Sequence, residues 1–118
     1  MSRLLQLTDF RLDMNRKETL LFMLSETPDD AFLIYALALE EVKEGQIDQA
    51  VVRLESLLNA QPNYLGTYYQ LGKLYEQTFA TDKAIAVYKL GMEEAHKAKA
   101  EKIRRELAEA LFALEDDD

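Results

Sequence analysis

The chain of 118 residues holds one histidine, His96, three residues after Glu93, a spacing that puts both side chains on one face of a helix. A carboxylate and an imidazole so placed form the metal-binding unit of carboxylate-bridged di-iron bundles. Such bundles need the unit twice, and a single histidine supplies it once. Zinc lacks ligands on the same count, because the chain has no cysteine. His96 therefore reads as a surface or helix-end residue. Gly66 to Lys73 (Gly-Thr-Tyr-Tyr-Gln-Leu-Gly-Lys) superficially resembles a phosphate-binding loop. It has one residue too many between its glycines, and Leu74 stands where a serine or threonine would hold magnesium. Nucleophilic chemistry has Ser2, Ser25 and Ser56 to draw on, none in a nucleophile-elbow pattern, and one imidazole to serve as base. The acidic pairs Asp29-Asp30 and Glu40-Glu41 are adjacent, and neighbours on a helix do not face each other. They are expected at helix starts or on solvated faces. No catalytic residue, metal ligand or cofactor site is expected, and the chain reads as a non-enzyme.

The composition points to elements that position side chains for contact instead of for reaction. Apolar residues make up 48% of the chain, enough for a buried core, while glycine and proline number four and two among abundant Leu, Ala, Glu, Lys and Gln. The expected class is all-α. The net charge of −8, half of it in Glu115, Asp116, Asp117 and Asp118, opposes binding to a phosphate backbone, so nucleic acid is not an expected partner. Lys89, Lys97, Lys99, Lys102, Arg104 and Arg105 outnumber Glu93, Glu94 and Glu101 among them, which reads as a solvated helix face, or alternatively as a dock for an acidic partner or for the acidic tail. The longest apolar run, Ala31 to Leu39, is too short to span a bilayer, and the first residues lack a secretory pattern. With no cysteine, a reducing, cytoplasmic setting without a membrane is the expectation.

Internal repetition gives the strongest signal. Pro28 and Pro62 lie 34 residues apart, and the stretches after them match in pattern. Ile34-x2-Leu37-Ala38-x2-Glu41 aligns with Tyr68-x2-Leu71-Gly72-x2-Tyr75, and Ala50-x3-Leu54 with Ala84-x3-Tyr88. On these residues the chain resembles the tetratricopeptide-repeat (TPR) family, whose signature is an aromatic-x2-Leu-Gly-x2-Tyr helix and then Ala-x3-Phe and Pro. Residues 31–64 and 65–98 are the two copies. Two positions depart from the pattern: Glu41 replaces the usual tyrosine, and His96 stands where the second copy would close on proline.

The pattern has physical content. Ala38, Gly72, Ala50 and Ala84 are small where helices of a pair cross, and Ile34, Leu37, Leu54, Leu57, Tyr68, Leu71, Tyr75 and Tyr88 fill the space around them. Gly45 suits a helix end that needs positive φ, Asp48 and Asp82 suit the positive starts of the second helix in each pair, and Pro62 turns the chain into the next repeat. Six helices are expected, at about 9–25, 31–44, 48–60, 65–79, 82–97 and 100–115. The first aligns with the second helix of a repeat, placing Leu20, Met23 and Leu24 opposite Leu54, Leu57 and Leu58. The last carries Ile103, Leu107, Leu111 and Leu114 at helical spacing. No glycine or proline separates it from its predecessor, so the local sequence allows one long helix, whereas the resemblance implies a break near 97–100. The flanking helices cap two repeats whose end faces would otherwise be bare, giving a single superhelical domain with residues 116–118 as an acidic tail.

In the TPR family the first helices of successive repeats line a concave groove that holds a peptide or a helix. Carried onto this chain, that groove comprises Phe32, Tyr35, Leu39 and Lys43, then Tyr69, Lys73 and Gln77 with Gln70 and Glu76 alongside. Phe32 and Leu39 have an alternative place, in the core beneath a flanking helix. Family members that grip chaperone tails use lysine and asparagine at the positions held here by Tyr35, Leu39, Tyr69 and Lys73. The asparagines are missing, so terminal carboxylates of chaperones are not expected ligands. The expected function is a scaffold or adaptor that binds a protein or peptide partner. The alternative is a structural, self-associating domain that pairs through its end faces or an exchanged C-terminal helix.

Overall fold

The computed structural model describes residues 15–116, which form six helices and, among the described residues, no strand. They are α1 (Arg16–Glu26), α2 (Ala31–Lys43), α3 (Ile47–Ala60), α4 (Gly66–Gln77), α5 (Thr81–Lys97) and α6 (Glu101–Asp116). Each helix packs mainly on its neighbours in sequence, the arrangement of a stacked repeat. The expected start of the first helix, after Thr8 or Asp9, lies outside the described residues. Asn15 caps α1 by accepting the Glu18 N–H at 2.8 Å, and Asp30 caps α2 by accepting that of Leu33 at 3.1 Å. Asp48 and Asp82 make no cap bond but sit in the first turns of α3 and α5, where the helix dipole favours an acid.

Three helices end in the same way. Gly45, Phe79 and Lys99 have φ of 78°, 62° and 57°. After each, an N–H reaches back five residues: Gln46 to the Glu41 carbonyl at 2.8 Å, Ala80 to that of Tyr75 at 2.8 Å, and Ala100 to that of Ala95 at 2.9 Å. This is the Schellman closure, normally built on glycine. Here two of its three left-handed positions carry side chains. The stretch from 82 to 115 is thus two helices, broken at 98–100 by a lysine in a conformation that sequence reasoning assigns to glycine.

Small residues set the crossings. A Cβ on Gly72 would lie 2.1 Å from the Tyr88 ring, and one on Gly91 2.6 Å from Tyr68 Cβ and 2.9 Å from Leu107 Cδ1. Around these contacts Ala38, Ala50, Leu54, Tyr68, Leu71, Ala84, Tyr88 and Leu107 form a buried core, and Leu20, Leu33, Ala36 and Leu37 form a second one between α1 and α2. Met23, expected opposite Leu57, is 44% exposed because α1 has no helix on that side among the described residues. Ile34 is only half-buried. The loops between repeats are pinned by side chains: the Tyr68 hydroxyl donates to the Pro62 carbonyl at 2.6 Å, and the Gln61 amide reaches the Asp29 carbonyl at 2.8 Å.

One expectation fails outright. Glu40 and Glu41, expected at a helix start or on a solvated face, lie in the last turn of α2 and are both buried, with relative exposures of 9% and 2%. They point to different neighbours: Glu40 to Arg16 at 2.7 Å and Lys43 at 3.5 Å, and Glu41 to Arg53.

Candidate functional site

α2 and α4 present the side chains expected to meet a partner, and the structure sorts them into groups. On α4, neighbouring turns bring Tyr69, Lys73 and Glu76 together. Lys73 Nζ lies 5.4 Å from the centre of the Tyr69 ring and 3.6 Å from the Glu76 carboxylate. The same carboxylate accepts the Tyr88 hydroxyl from α5, and the Tyr88 ring lies 6.5 Å from that of Tyr69. Burial first, then the bond to Glu76 and its charge, drive the Tyr88 hydroxyl well above its ordinary pKa. It therefore stays protonated and works as a donor that fixes Glu76. Tyr69 keeps 36% of its surface exposed above this support.

A second group joins the two helices. Tyr35 sits edge-on to Tyr64, with ring centres 5.5 Å apart, and its ring lies against Gly66, where a Cβ would come within 3.3 Å. Burial raises its pKa while a hydrogen bond with Gln70 opposes the rise. Tyr35 is half-buried and Gln70 is committed to it, so this pair braces the face more than it extends it. Leu39 is half-buried, Lys43 and Gln77 are exposed at the helix ends, and Phe32 is 60% exposed beside a separate depression lined by Phe22, Met23 and Leu33.

A larger concavity, of about 800 Å³, opens on another face, between α1 and α3. Leu21, Leu24, Val52 and Leu57 form its apolar walls, and Glu41 and Arg53 lie among them. Arg53 Nε and Nη2 donate to the two Glu41 oxygens at 2.8 and 3.0 Å, a fork that neutralises a carboxylate almost without solvent. Residues 34 positions on line a smaller cleft, of about 450 Å³, that includes Glu55, Leu58, Tyr75, Lys83 and Val87. There Tyr75 takes the place of Glu41, gives its hydroxyl to Glu55, and lies 5.8 Å from Lys83 Nζ. None of the residues expected to line the groove borders the larger cleft. A signal for it was present in the repeat register, because an acid at a core position requires a cation on the facing helix.

No family model matches the chain, and no curated protein does. Solved structures do match. The solution structure of a tetratricopeptide repeat domain protein from Salinibacter ruber is 42% identical, with a TM-score of 0.73 over 75% of this chain and 90% of that one. A crystal structure of a tetratricopeptide repeat domain protein from the same organism gives 40% and 0.72 over 75% of this chain and 100% of that one. A solution structure of a protein from Bordetella parapertussis, 24% identical, shares the fold with a TM-score of 0.76 over 89% of this chain and 91% of that one. No helix among the described residues is long and apolar enough to cross a membrane. The 34-residue register, the helix pairs with small residues at their crossings and the likeness to the Salinibacter structures lead to one assignment: the chain belongs to the tetratricopeptide-repeat family.

Proposed function

We propose that this chain is an adaptor whose α2–α4 face holds a peptide or a helix of a partner protein, with Tyr69 and Lys73 at the centre of contact. A helical repeat of this family is an interaction module, and the reading adds which face works. The observation that carries it is the support beneath Tyr69: a half-open aromatic ring with Lys73 above it, and Glu76 held by Tyr88 behind. An aromatic side chain already ordered before binding loses little entropy when a partner covers it. The lysine beside it offers a cation to carboxylate or carbonyl groups of an extended chain. With Tyr35, Leu39 and Tyr69 at three of the family's clamp positions, the face favours side chains and backbone of a partner over a free C-terminus.

The test is to capture a partner by affinity from native lysate and measure its binding directly. Replacing Tyr69 and Lys73 together with alanine is expected to weaken binding at least about tenfold, the scale of a hot-spot pair. Unchanged affinity in a variant with a native circular-dichroism spectrum would refute the assignment of this face.

A further inference from the structure

Past Glu101 in its first turn, the charges along α6 run against the helix dipole. From Lys97 to Arg105 the chain has five basic residues and one acid, and from Glu106 to Asp118 six acids and no base. α6 therefore places Lys102, Arg104 and Arg105 near its positive start and Glu109 and Glu115 toward its negative end. A surface helix gains stability from the opposite order; here Glu101 suits the positive start, but the last turn carries no base and ends on Glu115 and Asp116. Little inside the chain compensates: Arg104 pairs with Glu101 at 2.9 Å and Lys97 with Glu94 at 3.3 Å, while Lys102 and Arg105 have no ion-pair partner among the described residues. α6 is also the last of the described helices. Leu107 and Ala110 turn into the core, and the opposite side carries Phe112, 69% exposed, at helical spacing from Arg105 and Glu109.

We propose that this face pairs antiparallel with α6 of a second copy of the chain. Reversing the direction of one helix sets basic halves against acidic halves, and it sets each helix end beside the opposite end of its mate. With the two-fold axis near residue 107, Arg105 meets the second copy's Glu109 and Lys102 meets its Phe112, and symmetry makes each contact twice. A partner of a different sequence would need the same charge segregation in reverse order, whereas a second copy has it by construction. One sixteen-residue helix per chain, about 24 Å long, gives a contact at the small end of specific interfaces, so the dimer is weak and depends on concentration. The proposal is independent of the α2–α4 face.

Sedimentation equilibrium of the full chain over a concentration series tests it. Self-association is expected at low salt and a loss of at least about tenfold in association constant at high salt, because the contacts are between exposed charges. The double variant Lys102→Glu with Arg105→Glu, and separately Glu109→Lys with Glu115→Lys, should each be monomeric. Lys102→Glu and Glu115→Lys bring the charge at the helix ends into line with the dipole, and a native circular-dichroism spectrum of each monomer shows that the fold is kept. An equimolar mixture of the two variants should dimerise again, in a one-to-one complex. A wild-type chain that stays monomeric, association indifferent to salt, or variants whose mixture fails to associate would each overturn the proposal.

Discussion

The two repeats solve the same packing problem by different chemistry. At the position where helices α1, α2 and α3 meet, repeat one has Glu41 clamped by Arg53. Where α3, α4 and α5 meet, repeat two has Tyr75 with its hydroxyl on Glu55 and Val87 in place of the arginine. Both arrangements satisfy the buried polar atom, but they fill space differently. The tyrosine ring occupies its cleft, and the ion pair leaves one nearly twice as large. The backbone of a helical repeat therefore tolerates a buried charge at a core aromatic position, provided that the facing helix supplies a planar cation. The cost appears as unfilled volume on the outer face.

Breaking the ion pair is the most severe way to test that contrast. Arg53→Ala leaves Glu41, 2% exposed, without its counter-charge, and should destabilise the protein by about 3–5 kcal/mol in chemical denaturation. Transplanting the other repeat's solution, with Leu21→Glu, Glu41→Tyr and Arg53→Val together, should recover most of that loss. Recovery no better than the single variant would mean that the two junctions differ in backbone as well as in side chains. At the crossing, repeat one has Ala38 where repeat two has Gly72. Gly72→Ala pushes a methyl group into the buried Tyr88 ring and should cost about 2–3 kcal/mol, while Ala38→Gly should cost about 1 kcal/mol. Equal costs would dissolve the distinction. The smallest effect is a gain. Leu33 in repeat one is matched by Thr67, whose buried hydroxyl has no hydrogen-bond partner. Thr67→Val should stabilise the fold by about 1 kcal/mol, read as a rise in thermal midpoint.

The helices were legible because their crossings leave small residues 34 positions apart, and five helix starts fall within a residue of the positions inferred from sequence. The break before α6 was not legible from local rules. A left-handed helix end is expected at glycine, and Lys99 adopts it because packing of α6 onto α5 offsets the conformational cost. For the proposed partner-binding face, the family resemblance supplied candidate side chains but not their contacts. It gave no warning that Tyr35 and Gln70 would be spent on each other, or that Tyr69 would be framed by Lys73 and Glu76, because those contacts depend on rotamers and on a second helix. The outer cleft went unseen for a related reason. Three helices contribute to it, and its size depends on what Glu41 fails to fill. The pairing of Glu41 with Arg53, twelve residues apart across a helical hairpin, was open to inference from the rule that a charge in a core must be answered.

The bond from the Gln61 amide to the Asp29 carbonyl stitches one inter-repeat loop to the next, and Tyr68 holds the second loop from beneath. At the opposite edge the helix pairs close on their own turns, each tied by backbone bonds within itself. The α2–α3 turn is also held from outside, by Lys17 of α1, which donates to Glu44 at 3.3 Å and to Gln46 at 2.8 Å, so directional bonds fasten the first repeat on both edges. Load on the stack should therefore be carried by both edges of the first repeat, and bending should concentrate nearer α6, where apolar packing and the closing turn at 98–100 make the join.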